Sequence, residues 1–330
     1  MKPVLAVSIG DYNGIGPEVI LKTFFPADNL PFIPLVLGHP AILDFYNPLG
    51  TLPVHYAGTV SAIRAGRVNV MAVDEVAPGD IKPGTITKQA GLLSMKAVEK
   101  GIALCAAGEA SALVTAPISK EAINRAGYNV PGHTEFLARE TNCKAFVMML
   151  VTKSLRVGLV STHIPLKEVA ATITRAAVLQ QLTVMNRSLS MDFGLNHPKI
   201  AVLGLNPHAG DGGVLGDEET EIIIPAIREA SSLNIRSEGP FPADGFFGSR
   251  AYEGYDAILA MYHDQGLIPF KTLSFGGGVN FTAGLPIIRT SPDHGTAFSI
   301  AGRGMANNQS FREAVDLAWQ LIQNKVTTAK

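Results

Sequence analysis

The sequence predicts an α/β fold, because short apolar runs typical of buried parallel strands alternate with longer segments whose apolar residues have helical spacing. Composition favours the same class. Hydrophobic residues make up 47% of the chain, and 33 glycines and 21 prolines supply the many turns that such a fold needs. At 330 residues the chain exceeds the size at which single hydrophobic cores stop growing, so we expect two domains.

The strand-like runs are rich in Val, Ile, Leu and Ala and end at polar or glycine residues, as buried parallel strands do. We predict strands at 4–9, 33–38, 112–115, 145–151, 156–161, 200–205 and 256–261. Apolar residues at helical spacing predict helices at 88–107, 134–141, 166–190 in one or two pieces, 217–231 and 310–324. The last helix opens with Ser310 and Glu313, which have the spacing of a capping box.

No low-complexity linker divides the chain into independent halves, so we expect any two domains to share a continuous sheet or exchange strands. The glycine-rich stretch 274–286 is either a flexible linker or a shaped binding loop. Asn280 within it and Arg289 just beyond it favour the binding loop.

Charge and cysteine content exclude several classes of protein. The formal net charge is −1 and no basic run is long enough to follow a phosphate backbone, so nucleic acid is not an expected partner. Cys105 and Cys143 have no CxxC spacing, which argues against a disulfide framework or a thiolate zinc site. The apolar run 145–151 is far shorter than the ~20 residues that span a bilayer, so we expect no membrane association and a cytoplasmic protein.

Three histidines each follow a strand-like run: His163, His208 and His263. Ligands of open α/β sheets bind beyond the carboxyl ends of the strands, and neutral imidazole is the commonest transition-metal ligand. The pattern therefore predicts one metal site. Three imidazoles leave positions open on a divalent cation, which can lower the pKa of a substrate hydroxyl or activate water. A dehydrogenase, a metallohydrolase and a metal-dependent anion-binding protein all remain open on this pattern.

Other polar residues suit an anionic substrate. His133 and Thr134 stand at a predicted helix start, where unpaired N–H groups favour phosphate or carboxylate, although Thr134 is equally explained as an N-cap. Arg289 ends another strand-like run and is the best candidate for bidentate recognition of an anion. Asp264 suits orientation of His263 or acceptance of a proton, and Lys271 suits binding of an anion.

Two further segments suggest less specific roles. The turn GDYNGIGPE after the first strand places glycines before a helix, but its spacing is not GxGxxG and it does not identify a nucleotide site. Asp217, Glu218 and Glu219 open a predicted helix, and the helix dipole explains them without a role in the metal site.

Read together, eight segments resemble the 4-hydroxythreonine-4-phosphate dehydrogenase family of vitamin B6 synthesis. They span about 10 to 304 in the family's order: GDYNGIGPE, VTAPISKEAI, GHTEF, STHIPL, GLNPHAGDGG, GPFPAD, YDAILAMYHDQGL and GVNFTAGLPIIRTSPDHGTA. The resemblance implies an isocitrate/isopropylmalate dehydrogenase-like fold, with two α/β domains and a cleft between them. We expect the first domain to combine 1–130 with 270–330 and the central domain to be 131–269. It also implies a homodimer, NAD or NADP as cofactor, and a divalent metal such as zinc, magnesium or cobalt.

The implied reaction oxidises 4-phosphooxy-L-threonine to 2-amino-3-oxo-4-phosphooxybutanoate, which decarboxylates to 3-amino-2-oxopropyl phosphate. Close relatives act on 4-phospho-D-threonate or 4-phospho-D-erythronate, and nothing in the matched residues separates these phosphorylated substrates.

The family more often has Pro-Ala where this chain has Tyr12-Asn13. Individual cofactor contacts are not assigned, although the family's cofactor cleft is formed by loops such as 293–304.

The resemblance also assigns residues by motif. His163, His208 and His263 match metal ligands in a site assembled from both subunits, to which the central domain contributes. The substrate-contacting positions are matched by His133, Thr134, Lys271, Asn280 and Arg289. We expect catalysis to depend on His208, Asp264 and Lys271.

Overall fold

The computed structural model describes residues 2–47, 50, 52–130, 132–275 and 277–328, with side chains as far as 325. The chain forms two compact units. The first contains Met1–Asn142 and Leu285–Ile322, and the second contains Cys143–Gly284 and Gln323–Lys330.

Within the described residues, the first unit has a sheet of six parallel strands: β1 Val4–Ser8, β2 Ile33–Gly38, β3 Val54–Tyr56, β4 Val68–Ala72, β5 Ala112–Thr115 and β12 Arg289–Pro292. Their order is β3-β4-β2-β1-β5-β12. Every residue of β1, β2 and β5 is buried, which explains their continuous apolar sequences. The strand order reverses between β1 and β5, the kind of position where α/β sheets bind ligands.

The helices of the first unit are α1 Gly16–Phe24, α2 Pro40–Tyr46, α3 Lys88–Ala106, α4 Lys120–Arg125, α5 His133–Glu140 and α11 Gln309–Thr328, whose last turns belong to the second unit. Hydroxyl caps begin two of them, since Thr87 Oγ1 accepts the Ala90 N–H before α3 and Ser119 Oγ accepts the Ala122 N–H before α4. Gly91 lets α3 approach α4, because a Cβ there would lie 2.2 Å from the Ala122 carbonyl oxygen.

The described part of the second unit has a mixed sheet of six strands: β6 Val147–Val151, β7 Arg156–Leu159, β8 Lys199–Leu203, β9 Arg236–Phe241, β10 Ala257–Ala260 and β11 Val279–Ala283. Their order is β11-β6-β7-β10-β8-β9. The strands β7, β10, β8 and β9 are parallel, whereas β6 pairs antiparallel with both β7 and β11.

The helices of the second unit are α6 Leu166–Thr172, α7 Arg175–Met191, α8 Ile224–Ser232, α9 Ala243–Gly248 and α10 His263–Ser274. A π-helical turn, Glu219–Ile223, leads directly into α8. A core of buried apolar side chains joins β7, β8 and β10 to α9 and α10 through Phe246, Leu267 and Phe270. This packed core therefore supports the ends of the three strands and the loops that follow them.

All seven predicted strands and the predicted helices are present, with bounds shifted by a few residues. Sequence patterning missed β3, β4, β9 and β11. The edge strand β9 reads RSEGPF and is nowhere fully buried. The loop predicted over 274–286 is wrong in its central part, because Val279–Ala283 form the mostly buried strand β11. Gly276 of that stretch lies outside the described residues.

The predicted capping box of the last helix is also wrong. The helix begins at Gln309, so Ser310 lies inside it instead of at its N-cap. The Ser310 hydroxyl accepts the backbone N–H of Asp293 at 3.2 Å. In the described part of the chain, no helix is both long enough and apolar enough to cross a membrane.

The division predicted from the sequence, with 1–130 and 270–330 against 131–269, differs from the two units over 131–142, 270–284 and 323–330. Local packing accounts for the first two differences. The ring of Phe136 on α5 contacts Tyr128 of the first unit, with ring centroids 5.9 Å apart. In the second unit, α10 packs against β7 and β10, and β11 pairs with β6.

Candidate active site

The three histidines singled out in the sequence follow three neighbouring parallel strands of the second unit. Ile258 of β10 pairs with Val157 of β7 on one side and with Ala201 of β8 on the other. His163 follows β7, His263 follows β10 and His208 follows β8. The structure thus places all three beyond the carboxyl ends of adjacent strands, as the sequence predicts.

His163 and His263 lie together. Their ring centroids are 5.9 Å apart and the ring planes are inclined by 45°. Both line a cavity of about 490 Å³ whose other lining residues are Thr162, Ile164, Leu166, Val169, Tyr262 and Asp264. Two imidazoles on one cavity wall are a suitable pair of nitrogen donors for a transition-metal ion.

Asp264 fixes the orientation of the His263 ring. Its Oδ1 lies 2.7 Å from His263 Nδ1, and because an ionised carboxylate only accepts hydrogen bonds, Nδ1 is the donor. This tautomer leaves the lone pair on Nε2, the arrangement common in histidines that bind metals. The geometry favours the orienting role of Asp264 over a role as proton acceptor.

His208 lies on the loop after β8, in a turn of left-handed backbone. It lines a second cavity of about 690 Å³. The remaining lining residues are Leu205, Asn206, Pro207, Ala243, Asp244, Phe247, Gly248, Tyr262, Asp264, Gln265, Ile268, Pro269, Thr272 and Leu273. Tyr262 and Asp264 line both cavities, so the two histidine positions share a wall.

The structure does not bring all three histidines into one ligand group. Among the residues that it describes, no cluster of three or more His, Cys, Asp or Glu side chains has the geometry to hold a metal ion. The chemistry of the imidazole donors fits zinc or cobalt, and the pair His163–His263 fits in position. The third predicted ligand, His208, lies apart from this pair within one chain.

Arg289, the predicted anion-binding residue, begins β12 in the first unit and is 1% exposed. Its Nε and Nη2 donate to Thr115 Oγ1 at 3.2 and 2.7 Å. Burial lowers the pKa of Arg289 to about 9, and the nearby Glu135 carboxylate opposes this shift. The guanidinium still carries its charge at neutral pH, because its pKa lies about two units higher. A buried cation of this kind favours a bound anion.

His133 and Thr134 are the first two residues of α5. Burial lowers the pKa of His133 well below its usual value, and the Arg289 charge lowers it further. Its Nε2 is buried and has no hydrogen-bond partner among the described residues, so a neutral imidazole nitrogen is available to a ligand. Thr134 is not the N-cap, because Gly132 occupies that position.

Lys271 and Asn280 lie in the second unit, whereas His133, Thr134 and Arg289 lie in the first. Lys271 is on the last turns of α10. Asn280 is on β11 opposite Leu150, and its Oδ1 is buried without a partner in the described part of the chain. Buried polar atoms that lack partners are characteristic of ligand sites.

The turn in which this chain departs from the family, Tyr12-Asn13, is tied into its surroundings. Asn13 Oδ1 accepts the Lys82 N–H at 2.7 Å, Asn13 O accepts the Gly84 N–H at 2.8 Å, and Tyr12 O accepts the Tyr46 hydroxyl at 2.9 Å. The glycine spacing predicted a tight turn here but gave no sign of these contacts.

Asp11, in the same turn, is a fully buried carboxyl group. Burial raises the pKa of Asp11 to about 6, and the hydrogen bond from the Asn13 N–H opposes the shift. Oδ1 receives that bond at 3.0 Å, while Oδ2 is buried without a described partner.

Sequence reasoning missed two residues that hold the loops of the second unit. Glu219, attributed to the helix dipole, is instead 2% exposed and accepts hydrogen bonds from the residues that precede His208. Gln265 accepts the Met261 N–H at 2.7 Å and donates to the Gly204 carbonyl at 2.6 Å, so it links the ends of β10 and β8. Neither contact has a sequence signal, because both join residues that only the folded chain brings together.

Comparison with known proteins agrees with this fold. A solved 4-hydroxythreonine-4-phosphate dehydrogenase from Klebsiella pneumoniae is 37% identical, with a TM-score of 0.88 over 98% of this chain and 99% of that chain. The predicted α/β fold class is confirmed.

Sequence relatives match over almost the whole chain. A 4-hydroxythreonine-4-phosphate dehydrogenase from Prosthecochloris aestuarii is 45% identical over 97% of this chain and 98% of its own length. A D-threonate 4-phosphate dehydrogenase from Pectobacterium atrosepticum is 41% identical over 97% of this chain and all of its own length. Residues 32–318 match the family model described as pyridoxal phosphate biosynthetic protein PdxA, and the chain therefore belongs to the PdxA family.

Proposed function

We propose that this protein is a divalent-metal-dependent, NAD-linked dehydrogenase of 4-phosphooxy-L-threonine in pyridoxal 5′-phosphate biosynthesis. One observation carries the proposal. This chain belongs to the PdxA family and presents three histidines beyond the ends of three adjacent parallel strands. The relative from Prosthecochloris aestuarii is named for this activity. The proposed product, 2-amino-3-oxo-4-phosphooxybutanoate, decarboxylates to 3-amino-2-oxopropyl phosphate. NADP is the alternative cofactor.

We assign the metal to His163, His208 and His263, in a site that both subunits of a homodimer complete. The separation of His208 from the pair His163–His263 within one chain supports a contribution from a second chain. Zinc, cobalt or magnesium held there would supply Lewis-acid stabilisation of the negative charge that develops on the substrate's hydroxyl oxygen. Asp264 holds the His263 ring in the tautomer that this binding needs.

The substrate's anionic groups suit the charged residues at the predicted contacts. Arg289 offers a buried guanidinium for bidentate binding of phosphate or carboxylate, beside the neutral ring of His133. Lys271 supplies a second cation, and Thr134 and Asn280 supply hydrogen bonds. Binding energy from the phosphate and carboxylate ends would hold the hydroxyl in place for oxidation.

Exposed apolar side chains in the second unit support the homodimer. Ile268 and Leu273 of α10 are 63% and 39% exposed and line the larger cavity. Val214, Leu215 and Phe275 are also exposed, Phe275 to 92%. Large apolar side chains left open to water are typical of an association surface, and a symmetric homodimer is the commonest way to cover such a surface.

A second substrate is favoured by the relative from Pectobacterium atrosepticum, which is named for D-threonate 4-phosphate. That substrate keeps the phosphate, the carboxylate and the oxidised carbinol but lacks the amino group. The same residues would bind it, as they would 4-phospho-D-erythronate. Turnover would then serve breakdown of sugar acids instead of vitamin synthesis.

The test follows NADH absorbance with metal-loaded protein given 4-phosphooxy-L-threonine or 4-phospho-D-threonate at matched concentrations, each with NAD and with NADP. We expect turnover with the amino acid to exceed turnover with the threonate. The opposite preference would support the second substrate. No reduced cofactor with either compound would contradict the dehydrogenase proposal and favour a metallohydrolase or an anion-binding protein.

A further inference from the structure

The loop that carries His208 has an unusual backbone. Six consecutive residues, 208–213, have positive φ angles of 53°, 51°, 78°, 44°, 65° and 101°. Three of them, Gly210, Gly212 and Gly213, are glycines. Left-handed backbone is unfavourable for each residue with a Cβ, and such a segment persists only where surrounding contacts hold it.

The Glu219 carboxylate is the main contact that holds the start of this loop. Its Oε1 accepts the backbone N–H groups of Leu205 at 2.7 Å and Asn206 at 2.8 Å. Its Oε2 accepts Asn206 Nδ2 at 3.0 Å. All three donors belong to the two residues that precede Pro207 and His208, so the carboxylate fixes the direction in which the chain leaves β8.

Glycines enclose the same carboxylate from both ends of the loop. A Cβ at Gly210 would lie 2.6 Å from Glu219 Oε2, and one at Gly204 would lie 3.1 Å from Oε1. Glu219 itself begins the π-helical turn Glu219–Ile223, a rare element found disproportionately at functional sites. The loop and the carboxylate thus fit each other closely.

We propose that Glu219 is a positioning residue that holds the strained loop so that His208 faces the shared metal site. This inference rests on the proposed function, because it assigns Glu219 to the presentation of one proposed ligand. The role is separable from folding. β8 is paired with β10 on one side and β9 on the other, and its last four residues are buried, so loss of the carboxylate releases the loop while the strand remains.

The first test compares Glu219→Gln with Glu218→Gln. In Glu219→Gln the new amide oxygen can keep both backbone bonds, but the new NH₂ group then faces the NH₂ group of Asn206, donor against donor. Glu218 is the matched control, because it accepts the same Asn206 side chain at 2.7 Å but does not bond the Leu205 or Asn206 backbone. Co²⁺ binding by calorimetry, thermal unfolding and NADH formation are measured on each full-length variant.

We expect Glu219→Gln to weaken Co²⁺ binding by about 10–100-fold, the loss usual for an outer-shell partner of a metal ligand. Its kcat should fall at limiting Co²⁺ and recover at high Co²⁺, whereas a merely structural residue would lower the Tm without this recovery. Glu218→Gln should bind Co²⁺ as the parent protein does. Unchanged Co²⁺ affinity in folded Glu219→Gln would overturn the proposal.

If Glu219→Gln does not fold, a second pair of variants tests whether Glu219 positions His208. Gly210→Ala and Gly212→Ala both place a Cβ on left-handed backbone, but only the Cβ at 210 meets the Glu219 carboxylate, whereas at 212 nothing lies within 4 Å. We expect Gly210→Ala alone to weaken Co²⁺ binding. Equal affinities in the two variants would overturn the proposal. If the parent protein binds Co²⁺ but forms no NADH, the proposed function fails while this comparison still tests Glu219.

Discussion

At the scale of single residues, Asp264 shows how one hydrogen bond can prepare a ligand. The 2.7 Å bond from His263 Nδ1 fixes both the tautomer and the ring orientation. The sequence suggested Asp264 because it adjoins His263, but it left open whether the carboxylate orients the ring or accepts a proton. The 2.7 Å distance between His263 Nδ1 and Asp264 Oδ1 favours orientation of the ring.

Replacing Asp264 with alanine should reduce metal affinity and metal-dependent turnover by roughly 10–100-fold, because the His263 ring loses its orienting partner. Asp244→Ala is the matched control, since Asp244 also lines the larger cavity but does not orient the His263 ring. Calorimetry with Co²⁺ and NADH assays would check both variants. Equal affinities for Asp264→Ala and Asp244→Ala would refute the orienting role.

Asp11 provides a prediction about pH. Its pKa is raised from 3.8 to about 6 in the folded chain, so the folded state retains the proton more strongly than the unfolded state does. The stability contributed by protonated Asp11 is therefore fully present below about pH 4 and is lost as the pH rises through 6. Asp11→Asn removes this titration but keeps an oxygen that can accept the Asn13 N–H.

The free energy of unfolding of Asp11→Asn should rise relative to the parent protein by up to about 3 kcal/mol between pH 4 and pH 8. Urea unfolding of both proteins across this range measures the difference, in which other titrating groups cancel. Asp28→Asn, a substitution at an exposed position, serves as the control. A difference between Asp11→Asn and the parent that is constant with pH would contradict the buried, raised-pKa carboxyl.

At the scale of elements, Gln265 on α10 links the ends of two strands that carry proposed ligands. It accepts the Met261 N–H after β10 and donates to the buried Gly204 carbonyl after β8. Two backbone groups thus depend on one side chain. The link constrains the spacing between the loops of His263 and His208.

Gln265→Ala should lower the free energy of unfolding by about 1–3 kcal/mol, because it leaves buried backbone groups without these bonds. Thr272→Ala is the control on the same helix, where the hydroxyl only bonds back to the Ile268 carbonyl. Denaturant titration of the two variants gives the comparison. If Gln265→Ala is no less stable than Thr272→Ala, the link contributes nothing.

The strands that sequence patterning predicts well include β1, β2 and β5, which are buried along their whole length and read as continuous apolar runs. The strand β4 is also mostly buried but was missed, because Asn69 interrupts its apolar run. The edge strand β9 needs no such run and carries none. The strand β11 follows glycines whose local signal is that of a loop, and only its pairing with β6 makes it a strand.

At the scale of the whole molecule, the sequence could predict that three histidines share a sheet edge, because each follows a strand of the same type. It could not predict that β7, β10 and β8 would be neighbours in that order, since strand order depends on pairings between distant segments. It also could not predict the left-handed loop that begins at 208, directly after residues that Glu219 holds by hydrogen bonds.

The proposed catalytic metal site joins the three strand-end histidines and is completed by two subunits. If His208 and His263 act from different chains, a mixed dimer of His208→Ala and His263→Ala contains one intact site and one doubly altered site. Each variant alone should lose more activity than the ~100-fold cost of an outer-shell change. Both should keep their fold, because neither side chain belongs to the buried core.

The most direct measurement is therefore NADH formation after the two inactive variants are mixed and allowed to exchange subunits, with exchange confirmed by native mass spectrometry. Random mixing gives half mixed dimers with one working site of two, so we predict recovery to about a quarter of the parent activity. No recovery in a sample that contains mixed dimers would contradict a site completed by His208 and His263 from different subunits.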